Sequence, residues 1–455
     1  MKVSKWKVLG IAGALVLGYV VSTDAAQIKV SDETFADLGY WMKVRYVNFD
    51  ERLKDKDPAT GHGADYSTNV FDVVDARFNI EGQITKMVQF YGEVVTAGAY
   101  ASDVYKALKD LGPVISARDT VAKLSEGGIN LVFLPELQLR LGKIRIPFTR
   151  DQQEARYSYI IQSDWIYDAQ GLFGYWRNGL LRLFDGGAVL HGEIAGGMLR
   201  YDLGIFNEAS SDEPLQDVAW AARLEFTPTM LGFKPESKTT GRGWLHDTRL
   251  GKKGDVLTIG VSYFTQDVNL SVSWNSTVTP KDILYVGNPS GGALLGGIYT
   301  FGEKPYDNEY IKELDVDAWN VDVFLEKKIG SALINLEGAY TYFDDSHVVY
   351  KNGGFKSEDS YFWYIQGQIM YDGVVGIGKP ALYVKYEYLE ADGADDDWEM
   401  TRWAVGVNYY IVGNAARLTV GVDNVNYDDA ASDYLEANNK EDNITDIYVQ
   451  AQIMF

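Results

Sequence analysis

Residues able to do acid–base or nucleophilic chemistry are sparse and widely spaced in this 455-residue chain. Its histidines are His62, His191, His246 and His347, and it contains no cysteine. No two histidines are close enough in sequence to suggest a metal motif, and hydrolysis would need a histidine paired with a serine or an aspartate. His191 shares a face of the segment VLHGE with Glu193, where a lone histidine is usually a hydrogen-bonded structural residue. The sequence therefore predicts no enzyme, no metal site and no cofactor.

Acidic residues outnumber basic ones along the chain. The formal net charge of -22 argues against a nucleic-acid partner. The segment YDDAASDYLEANNKED, residues 427–442, is acidic enough to bind Ca²⁺ weakly. It lacks the Asp-x-Asp-x-Asp-Gly spacing of a calcium loop. We therefore interpret it as a solvated acidic loop.

The N-terminus has the pattern of a secretory signal peptide. Lys2, Lys5 and Lys7 form a positive region before the apolar run 8–21, which is too short to cross a bilayer as a helix. Small residues then lead to a cleavage point near Ala25 or Ala26. We predict that residues 1–25 are a signal peptide and that the mature chain is exported.

A period-two pattern recurs along the rest of the chain and is clearest in YFWYIQGQIMYD. From Tyr361 to Tyr371 every second position is apolar in the middle and aromatic at both ends, while Gln366 and Gln368 lie on the other face. Ten strand steps of about 3.3 Å, tilted by about 40°, rise roughly 25 Å, the height of the lipid-facing band of a transmembrane barrel. Aromatic ends fit the two headgroup regions.

Sixteen such runs begin near residues 38, 70, 87, 129, 137, 183, 198, 217, 255, 317, 331, 360, 380, 400, 415 and 444. Short and long connections alternate between them, as in barrels with short turns on one side and long loops on the other. Residues 229–254 are the exception, being a long connection on the short side. A soluble sandwich or propeller also alternates, but its second face would be charged and solvated, whereas here Gln, Asn, Tyr and Gly are common.

The pattern therefore predicts an all-β protein, a 16-stranded antiparallel transmembrane β-barrel over residues 38–455, after a short periplasmic segment 26–37. The last strand must pair with the first, because an open sheet edge in lipid leaves backbone groups unsatisfied. Phe455, the final residue, is then predicted to lie at the periplasmic interface and to signal the terminal strand to the barrel-assembly machinery.

Five segments carry a family resemblance. They are LGKIRIPFTRDQ (141–152), AVLHGEIAGGMLRYDLGIFNEAS (188–210), AARLEFTP (221–228), VGVNYYIVGNAARLTVG (405–421) and IYVQAQIMF (447–455). In this order they resemble the phosphate-selective porin O and P family of Gram-negative outer membranes. The resemblance covers most of residues 36–455. It implies a sixteen-stranded barrel, a homotrimer, a third loop folded into the pore, and anion uptake through basic pore residues.

Strand alternation identifies the charged side chains that would face the pore. The basic ones are Lys43, Arg45, Arg77, Arg140, Arg200, Arg223, Lys385, Arg402 and Arg417. Lys143 and Arg145 join them if Gly142 hosts a β-bulge, and Arg150 and Arg156 join them if the third loop folds inward. The acidic ones are Asp75, Glu81, Glu93, Asp202, Glu225, Asp322, Glu326, Glu337, Glu387, Asp423 and Asp446. Because the two sets are about equal, phosphate specificity does not follow from the residues themselves.

We therefore predict an outer-membrane porin that lets small hydrophilic solutes and ions diffuse through a water-filled channel. Two alternatives stay open: a phosphate- or anion-selective channel, and a structural barrel whose outer loops serve adhesion or bind lipopolysaccharide. The expected partners are outer-membrane lipid and lipopolysaccharide, the barrel-assembly machinery, the solutes or anions themselves, and further copies of the chain in a homotrimer.

Overall fold

The computed structural model describes residues 26–49, 68–97, 123–161, 183–207, 218–236, 250–274, 284–285, 308–351, 354–393, 396–437 and 441–454, and strands account for most of them. The strands are β1 (Ala26–Lys29), β2 (Phe35–Phe49), β3 (Thr68–Gln83), β4 (Val88–Ala97), β5 (Lys123–Leu134), β6 (Leu137–Arg145), β7 (Phe184–Ile194), β8 (Leu199–Asn207), β9 (Val218–Phe226), β10 (Val256–Trp274), β11 (Leu284–Tyr285), β12 (Asn308–Ile329), β13 (Ala332–Lys351), β14 (Gly354–Tyr371), β15 (Lys379–Ala391), β16 (Trp398–Tyr410), β17 (Ala416–Asp429) and β18 (Asn443–Met454). Among these residues, no helix is both long enough and apolar enough to cross a membrane.

Sixteen of the strands, β2 to β10 and β12 to β18, form one closed antiparallel barrel. The ring closes where β18 pairs with β2, with Met454 opposite Trp41 and Ile447 opposite Asn48. The short strands β1 and β11 pair with the start of β2 and the far end of β13. The predicted sixteen-stranded barrel is confirmed, although β12 begins at Asn308 rather than near residue 317 because it continues its pairing with β10.

Side chains alternate between a lipid-facing surface and an interior, which we call the lumen. In β12, Trp319 and Val321 are 58% and 53% exposed, whereas Asn320 and Asp322 are 1% and 2% exposed. The same alternation runs through the other strands, so that apolar side chains cover the outer surface and polar ones line the lumen. A polar interior with an apolar exterior is the inverse of a soluble protein, and it suits a barrel surrounded by lipid.

The two ends of the barrel differ in their connections. Short turns such as 84–87, 135–136, 330–331 and 411–415 lie at the end where β2 starts and β18 finishes. We call this end the turn side and the opposite end the loop side. Residues 227–255, which join β9 to β10, are the long connection on the turn side, and we call them the turn-side connection.

Two expectations from the sequence are wrong. The pairing of β6 with β5 and β7 passes Gly142 without a register shift, so no bulge forms there; Gly142 instead has a φ of 140°, and a Cβ would lie 2.3 Å from the Gly127 carbonyl oxygen. Residues 427–442 are not simply a solvated loop, because β17 continues to Asp429 and a helix, α2 (Ala430–Ala437), follows it. Ala431 packs that helix into the apolar core.

Candidate functional site: the lumen at loop three

The chain leaves β6 and turns into a compact segment, residues 146–161, which we call loop three. It contains one helical turn, α1 (Arg150–Gln153). Thr149 and Gln152 form a capping box: the Gln152 N–H donates to Thr149 Oγ1 at 3.2 Å, and the Thr149 N–H donates to Gln152 Oε1 at 3.0 Å. The Thr-x-x-Gln spacing therefore starts the helix immediately after the strand.

Loop three crosses the lumen and contacts several walls of the barrel. Several of its carbonyl oxygens accept hydrogen bonds from inward side chains, among them Phe148 from Arg223 of β9 (3.0 Å), Arg156 from Lys43 of β2 (2.8 Å), Tyr159 from Arg417 of β17 (2.8 Å) and Ile160 from Asn408 of β16 (2.8 Å). Because β9 and β17 lie far apart around the ring, a segment that contacts both must span the interior.

Apolar packing fixes the first half of loop three. The Phe148 ring lies 6.0 Å from that of Phe264 and 6.2 Å from that of Phe343, centroid to centroid. Ile146 and Ala155 belong to the same buried cluster. Aromatic contacts of this kind add to the stabilisation from burial itself, so this half of the segment is held by the wall as firmly as a core element.

Most of loop three is buried, and its partly exposed positions are Arg156 and Tyr157. The Arg156 side chain keeps 16% of its accessible surface and lies 3.9 Å from Asp75, measured from Nη1 to Oδ2. Arg156 is therefore the predicted basic residue of this segment that water reaches. Arg150, the other basic residue predicted for it, is 1% exposed.

Arg150 lies at the centre of a buried group of carboxylates. It forms ion pairs with Glu236 and with Glu337, the latter at 2.8 Å from Nε to Oε2, and its guanidinium lies 3.8 Å from the centroid of the Phe324 ring. Tyr364 also donates to Glu337, at 2.5 Å. Such a buried cation is tolerated because charged partners replace the water it has lost.

A third carboxylate, Glu154, interacts electrostatically with Arg150 and Glu337. Burial, with the negative charge of Glu337 added, raises the pKa of the Glu154 carboxyl well above its ordinary value. The Ser158 hydroxyl donates to Glu154 Oε1 at 3.0 Å. The centre of the lumen thus carries more carboxyl groups than cations around Arg150.

Arg223 has partners on its own strand, on two further strands and on loop three. Its guanidinium donates to Asp322 at 2.6 and 2.8 Å, to Glu225 at 2.7 Å and to Ser262 at 2.9 Å. Gly260 leaves the space for it, because a Cβ there would lie 2.4 Å from Arg223 Nη2. This residue links three neighbouring strands to the Phe148 carbonyl of loop three.

The remaining predicted basic residues follow two patterns. Some form ion pairs with carboxylates: Arg77 with Asp75 and with Glu93; Arg140 with Asp202; Arg145 with Glu126; Arg200 with Asp202; Lys385 with Glu387; and Arg402 with Glu387 and with Asp423. Contacts with amide or carbonyl oxygens are made by Lys43 to Arg156, Arg45 to Gln450, Arg417 to Tyr159 and Gln452, and Lys143 to Leu124. Lys143 is only half-buried at the edge of the barrel wall.

Two acidic partners were missed from the sequence for different reasons. Glu126 shares the inward face of β5 with Asn130, so alternation could have identified it. Glu236 belongs to the turn-side connection, where no strand pattern indicates which way a side chain points.

The two described histidines, His191 and His347, lie within hydrogen-bonding distance of amide and carbonyl oxygens. His191 is buried and its Nε2 lies 2.8 Å from Asn130 Oδ1, within an amide network that includes Gln138. His347 lies 2.8 Å from the Asp392 carbonyl oxygen through Nε2. His62, His246, Phe455 and residues 1–25 lie outside the described residues. On the loop side, carboxylate oxygens of Asp344, Asp345 and Asp359 come within 4.8 Å of one another, as exposed acidic groups often do without a metal.

Comparison with known proteins supports the fold. No protein-family model matches the chain. An uncharacterized protein of Aquifex aeolicus (strain VF5) is 29% identical over 147 residues, covering 29% of this chain and 31% of that protein. The match therefore spans about a third of the length of that relative.

Three solved structures extend over nearly the whole chain at low identity. OmpF of Salmonella typhi, in complex with daunomycin, covers 94% of this chain and 100% of its own, with a TM-score of 0.50 and 11% identity. The anion-selective porin from Comamonas acidovorans gives a TM-score of 0.49, 13% identity and coverages of 93% and 100%. OmpT of Vibrio cholerae gives 0.48, 13%, 94% and 100%. The similarity to OmpF shows that this chain has an outer-membrane barrel fold.

Proposed function

We propose that this protein is an outer-membrane porin that lets small hydrophilic solutes and ions diffuse passively through its lumen. The observation that carries the proposal is the closed barrel with an apolar outer face, a charged and amide-rich inner face, and a segment that narrows the interior. Such a barrel needs no catalytic group to serve as a channel, because polar side chains replace part of a solute's hydration shell on its way through.

The charge distribution favours weak selectivity. At least nine of the thirteen basic residues predicted to face the pore pair with carboxylates in the described part of the chain: Arg77, Arg140, Arg145, Arg150, Arg156, Arg200, Arg223, Lys385 and Arg402. Paired charges have fields that cancel within a short distance, so they do not select one sign of ion as an excess of arginine would.

Anion selectivity is the second candidate, and Arg156 is the observation that favours it. This guanidinium lies 3.9 Å from Asp75 but at the water-accessible edge of loop three, where it acts on passing ions more strongly than a fully buried arginine does. The resemblance to the phosphate-selective porin O and P family supports the same assignment. That resemblance also supports a homotrimer as the assembled form.

Export and orientation belong to the same proposal. Residues 1–25 have the sequence of a cleaved signal peptide. The turn side would then face the periplasm and the loop side the cell exterior, because outer-membrane barrels have short periplasmic turns and long outer loops. Loops on the exterior would contact lipopolysaccharide. A purely adhesive barrel would use the same loops.

Planar-bilayer recording of the purified, folded barrel tests the proposed function. We expect discrete conductance steps in potassium chloride and swelling of liposomes in small sugars. A barrel that is folded, as judged by its heat-modifiable migration in SDS, but gives no steps would instead be a structural or adhesive protein.

Reversal potentials in a salt gradient then separate the two channel candidates. A general porin with balanced charge gives a reversal potential close to zero. A strong displacement towards the chloride equilibrium potential would support the anion-selective candidate instead.

A further inference from the structure

The turn-side connection enters the lumen, although it leaves and rejoins the barrel on the turn side. Met230 and Leu231 are exposed, but a few residues further on Glu236 is 3% exposed. Between them, Lys234 forms a parallel bridge with Val256 at the start of β10. The chain therefore turns inward along the barrel wall after the short 3₁₀ turn Thr229–Leu231.

Glu236 meets loop three inside the barrel. Its carboxylate pairs with Arg150 Nη1, while Glu337 of β13 pairs with Nε of the same guanidinium. All three side chains are 1–2% exposed. Loop three is thus held at Arg150 by one carboxylate from the wall and by another from the turn-side connection.

The far end of the turn-side connection is fixed to the wall as well. The Leu250 and Gly251 N–H groups donate to Glu326, at 3.1 and 2.8 Å. Leu250 packs against a buried cluster that includes Leu333. Lys253 donates to the Glu236 carbonyl, which ties the two described ends of the connection together. Both described parts of the connection, residues 227–236 and 250–255, are therefore held in place by contacts with the barrel wall and with each other.

We propose that Glu236 is a positioning residue for the channel constriction: it clamps loop three from the turn side through Arg150 and so sets the width and the charge of the passage. The inference rests on the proposed channel function and deepens it. Burying the Glu236 carboxylate inside the barrel costs free energy unless a cation compensates its charge, and Arg150 is that cation.

The charge at this point gives the direction of the expected effect. Arg150 is the cation paired with both Glu236 and Glu337, and Glu154 adds a further carboxyl group nearby. Replacing Glu236 by glutamine removes one negative charge and weakens the clamp. Loop three should then occupy positions further from the turn-side connection, and the lumen should become less favourable to cations.

Single-channel recording of Glu236→Gln in a potassium chloride gradient tests the inference. We expect the conductance to change by about twofold or more and the reversal potential to move towards that of chloride. Glu236→Asp keeps the charge and should keep the wild-type reversal potential. Glu33→Gln is the matched control, because Glu33 is an exposed turn-side carboxylate that pairs with Lys86 outside the lumen.

A merely structural role for Glu236 is distinguished by combining the substitution with Arg150→Gln. If Glu236 acts through Arg150, the double variant should show nearly the same conductance change as Arg150→Gln alone. Additive changes would contradict the clamp. Lys253→Met removes the hydrogen bond from Lys253 to the Glu236 carbonyl and keeps the Glu236 carboxylate, so it serves if Glu236→Gln fails to fold.

The outcomes separate the two proposals. A folded wild-type barrel that does not conduct overturns the channel function itself. A conducting wild type with an unchanged, folded Glu236→Gln overturns only the role of Glu236. If that variant does not fold, unchanged conductance in Lys253→Met overturns it instead.

Discussion

At the scale of single residues, the buried charges of the lumen are stabilised by pairing arginines with carboxylates. Arg223, Arg402 and Arg77 each bridge two carboxylates. Arginine suits this arrangement because its planar guanidinium offers several donors in a fixed geometry. Breaking such a pair costs more than forming it gains, since the remaining carboxylates stay buried without compensation.

Arg223→Met should therefore destabilise the barrel strongly. We expect the free energy of unfolding to fall by about 3–5 kcal/mol, because Asp322 would lose its cation in a buried setting and Glu225 would keep only Arg200, at 3.7 Å. Equilibrium urea unfolding in lipid vesicles measures the change. Lys328→Met is the matched control, since Lys328 pairs with Asp372 on the exposed turn side and should cost about 0–1 kcal/mol. Equal losses in the two variants would contradict the buried network.

Arg156→Gln should alter ion selectivity without loosening loop three. Lys43 donates to the main-chain carbonyl of Arg156 rather than to its side chain, so that contact survives the substitution. Removing the partly exposed positive charge of Arg156 should move the reversal potential towards the potassium equilibrium potential. Lys86→Gln changes a charge that is exposed on a turn outside the lumen and should have little effect. A reversal potential that stays unchanged in Arg156→Gln would mean that ions do not pass this edge of loop three.

At the scale of elements, each strand presents one face to lipid and the other to the lumen. The same substitution should therefore have different costs on a strand and on a turn. Val384 of β15 and Val375 of the turn 372–378, which precedes β15, are similarly exposed, at 57% and 52%. Only Val384 is predicted to lie within the apolar band.

Val384→Lys should lower the free energy of unfolding by about 2–4 kcal/mol, the cost of a lysine near the bilayer midplane. Val375→Lys should cost about 0–1 kcal/mol, because the turn reaches the aqueous interface. Urea unfolding of both variants in the same vesicles gives the comparison. Similar costs for the two lysines would contradict the predicted position of the membrane band.

The Asp392 carboxyl should contribute less to the stability of the loop-side end of β13, β14 and β15 as the pH rises. Burial, then the negative charges of Asp397, Asp359 and Glu358, raise the pKa of Asp392 to about 6. Because this exceeds the unfolded value of about 3.9, the folded state binds the extra proton in between, and its stability falls as the pH rises from about 4 to about 6.

Hydrogen exchange measures this pH effect locally. Protection of the backbone amides near residues 356–360, corrected for intrinsic exchange, should decrease more over that pH range in the wild-type barrel than in Asp392→Asn. The neighbouring groups Asp344 and His347 also titrate and keep part of the pH dependence in the variant. Asp372→Asn is the control on the turn side, where hydrogen bonds from Lys328 and Lys379 lower the pKa of Asp372 to about 2, outside the range tested. Equal changes in the wild type and in Asp392→Asn would assign the effect to other groups.

At the scale of the whole molecule, a β-sheet is stable in lipid only when its ring of strands is closed. The pairing of β18 with β2 satisfies backbone groups that would otherwise be exposed to hydrocarbon. It joins residues separated by almost the full length of the chain. The ring therefore cannot close before β18 is in place.

Deleting Phe455 should reduce the yield of folded barrel more than a substitution in any outer loop does. The residue follows directly after β18, which ends at Met454, and we propose that it is part of the signal that barrel-assembly factors read. The amount of heat-modifiable barrel in purified outer membranes measures the effect. Truncation of Lys54 to alanine, in the first long loop, is the control, and wild-type amounts of folded barrel from the deletion would contradict the prediction.

The sequence alone determined the number of strands and the direction of most side chains. Both follow from the period-two alternation, which is a local property: Trp319 and Asp322 can be assigned to opposite faces from their own segment. Alternation also identified Lys43, Arg45, Arg77, Arg223 and Arg402 as inward, and the structure places all five in the lumen. It could not assign residues outside strands, where no periodicity connects position to direction.

Only the tertiary structure decided which charges meet. Arg150 and Glu236 are separated by 86 positions, and Arg150 and Glu337 by 187. Their contact depends on the ring having closed and on loop three and the turn-side connection entering it from opposite ends. No local pattern encodes such an encounter, because it results from the curvature of sixteen strands together. The balance of charge within the lumen, and with it the selectivity, is therefore a property of the closed barrel.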